Sequence, residues 1–238
     1  MNIGIADLEE VRKTTKRVTG LSRESGSSGN PSPYTAIGCL HGMRAILEQL
    51  EGKVDFHGKH IVIQGVGAVG GRLAELLKNE GAKITICDIN EERVAQLAKQ
   101  HGYATVADKD HLDVACDIYA PCARGAGLND QTIPRLKCRA IGGVANNQLH
   151  ETRHARDLMA RGILYAPDYV INAGGIINVS IEMLPGGYNE PAALKQPTKE
   201  EDVNEVIDAV GFDFISQPQV DAKARKEKRK GEMFADFV

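Results

Sequence analysis

Three glycines and an aspartate are spaced as in sites that bind a dinucleotide. Gly65, Gly67 and Gly70 form a Gly-x-Gly-x-x-Gly motif, and Asp88 follows a later apolar run. Glycines at these positions allow a tight turn, the approach of a pyrophosphate to the backbone, and close packing of a helix on a strand. A carboxylate after the second strand accepts hydrogen bonds from both hydroxyls of an unphosphorylated ribose, which favours NAD over NADP. The sequence therefore predicts NAD as the cofactor.

The residues around the glycines predict the elements that must position them. Apolar residues 61–63 are typical of a buried parallel strand, leucines at helical spacing follow the glycines, and residues 84–87 form a second strand. The first turn of the helix, with Ala68 and Val69, would offer unpaired N–H groups and a positive dipole end to phosphates. Because strand, glycines, helix, strand and acid occur in this order, the motif is far more specific than a glycine triplet alone.

Helices and strands continue to alternate along the chain. We expect helices at residues 7–19, 34–50 and 151–160, one after Asn90, and one that follows residues 172–175 and reaches about Met183. Further strands are expected at residues 103–106, 116–120, 139–141 and 166–171. This alternation predicts an α/β, Rossmann-type fold with a doubly wound, mostly parallel sheet and helices on both faces. The expected organisation is a helix and interdomain loop at 1–33, an NAD-binding domain at 34–184, and a divergent, partly helical segment at 185–238.

The glycine-rich segment at residues 20–33 (GLSRESGSSGNPSP) has two possible interpretations. It is rich in residue types that interrupt helices and strands, which favours a flexible linker. The alternative is an ordered binding loop between two helices, because ordered loops often carry function.

Asparagines occur in the loops after two of the later predicted elements. Ligands of an open parallel sheet bind beyond the carboxyl ends of its strands. Asn146, Asn147 and Asn172 lie in such loops, and their amides both donate and accept hydrogen bonds. They suit recognition of a nicotinamide carboxamide or a ribose, although asparagine is also a common turn former and helix cap.

Composition argues against several classes of partner. The formal net charge of -3 favours neither nucleic acid nor an anionic membrane surface, and no apolar run is long enough to cross a bilayer. No secretory signal is visible, and five cysteines without a Cys-x-x-Cys pair indicate reduced thiols and a cytoplasmic location. The basic run at residues 221–230 is interpreted as a solvated helix face or tail.

Two histidines have the spacing of metal ligands on a helix. His150 and His154 lie four residues apart, but no third ligand stands at a matching spacing, and Arg153 and Arg156 crowd the region. We therefore interpret this stretch as a solvated helix face and predict no metal site.

Six runs of sequence carry a more specific signal. They are residues 26–37, 64–70, 116–123, 129–134, 145–149 and 165–179. Together they resemble the cofactor-binding domain of the Glu/Leu/Phe/Val amino-acid dehydrogenases, and leucine dehydrogenases in particular. The positions that the resemblance assigns to the cofactor are Thr35, Gly65, Gly67, Ala68, Val69, Gly70, Asp88, Ile89, Ala120, Cys122, Asn147 and Asn172. Ile176 and Val179 match positions near the aliphatic part of the substrate, and residues 27–33 would form part of an interdomain cleft.

The resemblance also implies a reaction. It is the NAD-dependent oxidative deamination of a branched-chain or apolar L-amino acid to its 2-oxo acid, with such an amino acid as the small-molecule partner. In that family a lysine assists the addition of water to an imine, and this lysine and an aspartate belong to an N-terminal domain. Both would lie upstream of Met1, so no catalytic residue is expected in this chain. A homo-oligomer is expected if the full enzyme assembles; the alternative is a catalytically silent NAD-binding module or truncated paralogue.

Overall fold

The computed structural model describes residues 4–183 and 186–194, which are built around a six-stranded parallel sheet. Its strands are β1 (His60–Gln64), β2 (Lys83–Cys87), β3 (Ala104–Thr105), β4 (Cys116–Pro121), β5 (Cys138–Ile141) and β6 (Leu164–Tyr165). They lie in the order β3-β2-β1-β4-β5-β6, and every pairing is parallel. The strand order therefore reverses direction at β1, between β2 and β4, as expected for a Rossmann-type sheet.

Helices precede, separate and follow the strands along the described chain. They are α1 (Ile5–Arg12), α2 (Ser32–Glu51), α3 (Ala68–Asn79), α4 (Glu91–His101), α5 (His154–Ala160), α6 (Asp168–Ile171), α7 (Gly174–Ser180) and α8 (Glu190–Leu194). The Asn90 side chain caps α4 by accepting a hydrogen bond from the Arg93 N–H at 3.0 Å. Gly102 ends α4 in the left-handed conformation, with φ of +68°. None of the described helices has the length and hydropathy needed to cross a bilayer.

The core lies on both faces of the sheet, as predicted for a doubly wound fold. Ile61, Val62 and Ile63 of β1 have no exposed surface. Because neighbouring side chains of a strand point to opposite faces, Ile61 and Ile63 pack in one cluster with Leu73 of α3, and Val62 packs in another with Leu158 of α5. The central strand is therefore covered by helices on each side.

The predicted strand at residues 166–171 is wrong. The last strand is β6, and Asp168–Ile171 forms the short helix α6. Pro167 precedes α6 with φ of -57°, and Asp168 is an acidic residue in its first turn. Both favour the start of a helix, and proline cannot donate to a strand ladder. A short apolar run does not distinguish a strand from a helix.

The boundaries of the other predicted strands and helices differ less from those observed. The strands predicted at residues 116–120 and 139–141 are confirmed, each one residue longer. The helix predicted at residues 7–19 ends at Arg12 and buries none of its residues. The helix predicted to reach Met183 is α7 followed by a 3-10 helix, Ile181–Met183. Most of residues 185–238, including the basic run, lies outside the described residues.

Candidate nucleotide site

The glycine-rich loop between β1 and α3 places its three glycines in different environments. Gly65 has φ of +96°, and a Cβ there would lie 2.7 Å from the Cβ of Ala123. A Cβ on Gly70 would collide with the carbonyl oxygen of Gly65. A Cβ on Gly67 would meet no atom within 4 Å. Packing of the chain therefore requires Gly65 and Gly70, whereas the space beside Gly67 is open to a ligand.

The N-terminus of α3 adds hydrogen-bond donors to this loop. Gly67 is its N-cap and supplies no side-chain cap, and the first turn carries no acidic residue. Ala68 is exposed and Val69 is half-buried. The first N–H groups of a helix have no partner within it, so this end of α3 is free to bind an anion such as a phosphate.

Asp88 is held against the glycine-rich loop. One carboxylate oxygen accepts a hydrogen bond from the Val66 N–H at 2.8 Å, and the other accepts one from the Asn90 N–H at 2.9 Å. The side chain is half-buried, and each carboxylate oxygen has a second lone pair for a ligand. Ile89, next to it, is 69% exposed and offers apolar surface at the same edge.

The segment after β4 packs on the glycine-rich loop. The Cys122 N–H donates to the Gln64 carbonyl at 2.7 Å, and Ala123 contacts the Gly65 position. Burial raises the pKa of the half-buried Cys122 thiol to about 12, so it stays protonated at neutral pH. Ala120 has no exposed surface and packs in the core. Its side chain points into the sheet-helix layer, so this position would line the cofactor cleft only with its backbone, and that stays a prediction.

The asparagine-containing turn after β5 meets helix α6 and its C-cap, Asn172. Asn147 has φ of +53°, and its N–H donates to the Asp168 carboxylate at 2.6 Å. The Asn172 amide donates to the side-chain oxygen of Asn146 at 2.6 Å. The Asn147 side chain is exposed and makes no hydrogen bond within the described part of the chain. The structure thus brings the predicted asparagines together and leaves polar groups available.

Thr35 lies where α2 crosses α7. Its hydroxyl donates to the Pro31 carbonyl at 3.1 Å, and a Cβ on Gly175 would collide with that hydroxyl oxygen. A Cβ on Gly38 would lie 3.1 Å from the Cα of Gly174, so glycines permit the two helices to approach closely. Ile176 on α7 is 66% exposed, and Val179 on the same helix is half-buried.

Glu182 orders the glycine-rich segment, which the sequence did not reveal. Its carboxylate accepts hydrogen bonds from the Gly20 N–H at 2.9 Å, the Ser27 hydroxyl at 2.8 Å and the Ser28 N–H at 2.9 Å. Burial opposes ionisation, but these hydrogen bonds outweigh it and hold the pKa of Glu182 below its ordinary value. Ser28 is fully buried. The linker interpretation of this segment is therefore wrong.

An ion pair also connects this segment to the last described helix. Arg23 donates to the Glu190 carboxylate at 3.0 Å, and the Tyr34 hydroxyl also donates to it. The Arg23 hydrogen bond, followed by that of Tyr34, lowers the pKa of Glu190 to about 2. Sequence reasoning missed Glu182, Glu190 and Asp168 because their partners lie far away in the chain, and no local motif marks them.

The interpretation of His150 and His154 as parts of a solvated helix face is wrong for His154. His150 is exposed, but His154 is fully buried at the start of α5. Its Nδ1 accepts the Glu151 N–H at 2.9 Å, and its Nε2 lies 3.5 Å from the Asp130 carboxylate. His154 therefore belongs to a packed helix start and not to a solvated face.

The described elements define a class of protein. In a parallel sheet the loops after β1, β2, β4 and β5 share one edge, so the glycine-rich loop, Asp88, Cys122 and Asn147 lie along it. With this strand order and loop, the molecule is a Rossmann-type α/β domain.

Comparison with known proteins identifies the family. The model for the glutamate/leucine/phenylalanine/valine dehydrogenases matches residues 26–91 and 85–189, and the chain belongs to this family. It is 48% identical to leucine dehydrogenase from Thermoactinomyces intermedius over 192 residues, 81% of this chain and 52% of that protein. It is 43% identical to valine dehydrogenase from Streptomyces virginiae over 182 residues, 75% of this chain and 51% of that protein.

The chain is also similar to a solved structure of an amino-acid dehydrogenase. L-tryptophan dehydrogenase from Nostoc punctiforme is 36% identical, with a TM-score of 0.69, and the match covers 76% of this chain and 53% of that one. The chain thus spans about half the length of the relatives it matches.

Proposed function

We propose that this chain binds NAD and is the cofactor-binding half of an enzyme that oxidatively deaminates a branched-chain or other apolar L-amino acid to its 2-oxo acid. The observation that carries the proposal is the hydrogen bond from the Val66 N–H to the Asp88 carboxylate at 2.8 Å. It fixes the phosphate-binding loop relative to the group expected to bind the ribose. The names of the relatives, which are leucine, phenylalanine and valine dehydrogenases, support the substrate class.

The residues present fit the adenosine half of a dinucleotide. The open space at Gly67 and the free N–H groups of α3 suit the pyrophosphate. Asp88 has lone pairs for both ribose hydroxyls, and Ile89 offers apolar surface to the adenine. The same carboxylate would repel the 2′-phosphate of NADP, so Asp88 favours binding of NAD over NADP.

Other residues would orient the nicotinamide half, which accepts a hydride when the cofactor is bound. Asn147 and Asn172 have amides suited to the carboxamide and the second ribose, and Thr35 would add a hydroxyl. Cys122 would contribute a protonated thiol and apolar surface, with no nucleophilic role.

Residues of α7 would contact the substrate of the proposed enzyme. Ile176 and Val179 on α7 would contact the aliphatic part of the amino acid, and the exposed fraction of Ile176, 66%, leaves it available. We propose a homo-oligomer for the assembled enzyme. The five cysteines are unpaired, which supports a reducing, cytoplasmic setting.

Isothermal titration calorimetry of the purified chain tests the cofactor proposal. NAD and ADP should bind, and NADP should bind at least about tenfold more weakly than NAD because two negative groups would meet at Asp88. Adenosine without phosphates should lose most of the affinity. Absence of NAD binding, or equal binding of NAD and NADP, would contradict the proposal.

The second candidate function is a catalytically silent NAD-binding module. The loops at residues 65–70, 88–90, 120–127, 142–150 and 166–175 contain no lysine. Because the resemblance assigns the lysine that assists water addition to an N-terminal domain, this absence is compatible with both candidates. NADH formation from NAD and L-leucine, measured with and without an added N-terminal half of a leucine dehydrogenase, separates the two. Turnover only with the added half supports the enzyme; NAD binding without turnover in either case supports the silent module.

A further inference from the structure

A separate group of side chains lies beside the ribose-binding end of the candidate site. Cys87, Asp108 and His111 each offer one possible ligand atom, and these three atoms lie within 4.8 Å of one another. Cys87 ends β2 and immediately precedes Asp88, whereas Asp108 and His111 belong to the segment after β3. The proposed cofactor site uses none of the three.

Asp108 has an unsatisfied acceptor. One of its carboxylate oxygens, Oδ1, is buried and has no hydrogen-bond partner within residues 4–183 and 186–194. The His111 Nδ1 is 3.9 Å from that oxygen, which is too far for a hydrogen bond. A buried carboxylate oxygen without a partner costs free energy, and a bound cation or an ordered water removes that cost.

His111 is oriented as metal-binding histidines commonly are. Its Nδ1 bonds to the backbone carbonyl of Asp108. Because a carbonyl can only accept, Nδ1 carries the hydrogen, and Nε2 of the neutral ring keeps the lone pair. The ring also stacks on Tyr119, with centroids 5.7 Å apart, which restrains its rotation. A backbone carbonyl on the second nitrogen is a frequent partner of a ligating histidine.

Cys87 is fully buried, and its thiol makes only a long, weak hydrogen bond to the Ile63 carbonyl at 3.8 Å. The carboxylates of Asp108 and Asp88 lie near this thiol. They attract a divalent cation, and a cation that binds the sulfur displaces its proton.

We propose that Cys87, Asp108 and His111 form a binding site for Zn²⁺ or a cation of similar chemistry. The Cys87 sulfur, a carboxylate oxygen of Asp108 and a ring nitrogen of His111 would be the protein ligands, with water in a fourth position. Sulfur, nitrogen and carboxylate oxygen are the donors that Zn²⁺ prefers, at about 2.0–2.3 Å. On binding, the Cys87 thiol releases its proton to solvent as the metal–sulfur bond forms, and no oxidation or reduction is involved.

The other group with suitable donors, Asp130, His154 and Asp157, does not share these properties. Arg153 already donates to both oxygens of Asp130, at 2.8 Å and 2.6 Å, and lies 3.4 Å from Asp157. The His154 Nδ1 accepts the Glu151 N–H at 2.9 Å, so in the neutral ring Nε2 carries the hydrogen. A guanidinium thus occupies the place of a metal ion.

Titration of the chelator-treated chain with Co²⁺ tests the site, because cobalt bound to a thiolate gives a charge-transfer absorption band. The parent should show this band, saturating at one Co²⁺ per chain, and Zn²⁺ should abolish it by displacement. Cys87→Ser should lose the band. Cys116→Ser is the matched control, since Cys116 also lies in a strand of the sheet but belongs to neither donor group. It should retain the band.

His111→Asn should weaken Co²⁺ binding by about 10- to 100-fold. Absence of the band in the parent, or its persistence in Cys87→Ser, would overturn the site. If Cys87→Ser fails to fold by circular dichroism, Asp108→Asn decides: a tenfold or greater loss of affinity supports the site, and unchanged affinity overturns it. The assay contains no nucleotide, so a negative result leaves the cofactor proposal unaffected.

Discussion

The Asp88 carboxylate should contribute both to NAD affinity and to the stability of the fold, and two substitutions separate these contributions. Asp88→Ala removes the acceptors of the Val66 and Asn90 N–H groups together with those for the ribose. Asp88→Asn keeps the shape and one oxygen, but its NH₂ group cannot accept a hydrogen bond from the second N–H.

The expected magnitudes follow from the hydrogen bonds. A hydrogen bond to a charged group contributes about 1.5–3 kcal/mol, and the half-buried position of Asp88 places each backbone bond at the low end. Asp88→Ala should lower the free energy of unfolding by about 2–3 kcal/mol, and Asp88→Asn by about 1 kcal/mol. Loss of the ribose bonds should weaken NAD binding by about 1–3 kcal/mol, or about 5- to 150-fold in Kd.

Urea unfolding measures the change in the free energy of unfolding. Calorimetric titration with NAD and NADP measures the change in binding affinity. Because the carboxylate also repels a 2′-phosphate, both variants should reduce the preference for NAD over NADP. Asp157→Asn is a suitable control, since Asp157 lies on α5 with a side chain 45% exposed. It should leave the Kd for NAD unchanged.

Three outcomes would refute this reasoning. An unchanged Kd for NAD in Asp88→Ala would remove Asp88 from the site. Unchanged urea curves would show that the bonds to Val66 and Asn90 contribute nothing to stability. Weaker binding of NAD and NADP in equal proportion would indicate a distorted glycine-rich loop and not lost ribose recognition.

Further predictions concern the loops. Gly70→Ala should destabilise the fold and weaken ADP binding, since its Cβ would collide with the Gly65 carbonyl; wild-type ADP affinity in calorimetry would contradict this. Asn147→Gly suits φ of +53°, so thermal unfolding should occur at an unchanged or slightly higher temperature while NAD affinity falls. An NAD affinity equal to the parent's would exclude an Asn147 side-chain contact. Glu182→Gln should lower the free energy of unfolding by about 1–3 kcal/mol in urea. Because the folded pKa of Glu182 is depressed, its contribution is present above the unfolded pKa and is lost as pH falls through the folded one. The stability gap between parent and Glu182→Gln should therefore shrink on acidification, and a constant gap would contradict the assignment.

The glycine-rich loop was predictable because its geometry is local. Gly65, Gly67 and Gly70 act within a few residues of one strand and one helix, and ligand chemistry dictates their spacing. The failed strand at residues 166–171 shows the limit of periodicity, because six residues with apolar character fit a strand or a helix until Pro167 is weighed.

The residues that were missed act over long distances. Glu182 contacts Ser28 across a separation of 154 residues, and nothing in its immediate sequence distinguishes it from a surface glutamate. Burial of His154 likewise depends on the segment containing Asp130, and Ala120 reaches the core because of its register beside Ile63. Such features follow from tertiary packing, which periodicity does not record.

The Glu182 carboxylate also has a consequence for the order of folding. It joins residues near the two ends of the described chain, so its hydrogen bonds with Gly20 and Ser28 require closure of a very long loop. Contacts of this kind form late in folding, after local helices and neighbouring strands. We expect residues 20–29 and 174–183 to open together as one cooperative unit in native-state hydrogen exchange, while the amides of β1 remain protected until global unfolding.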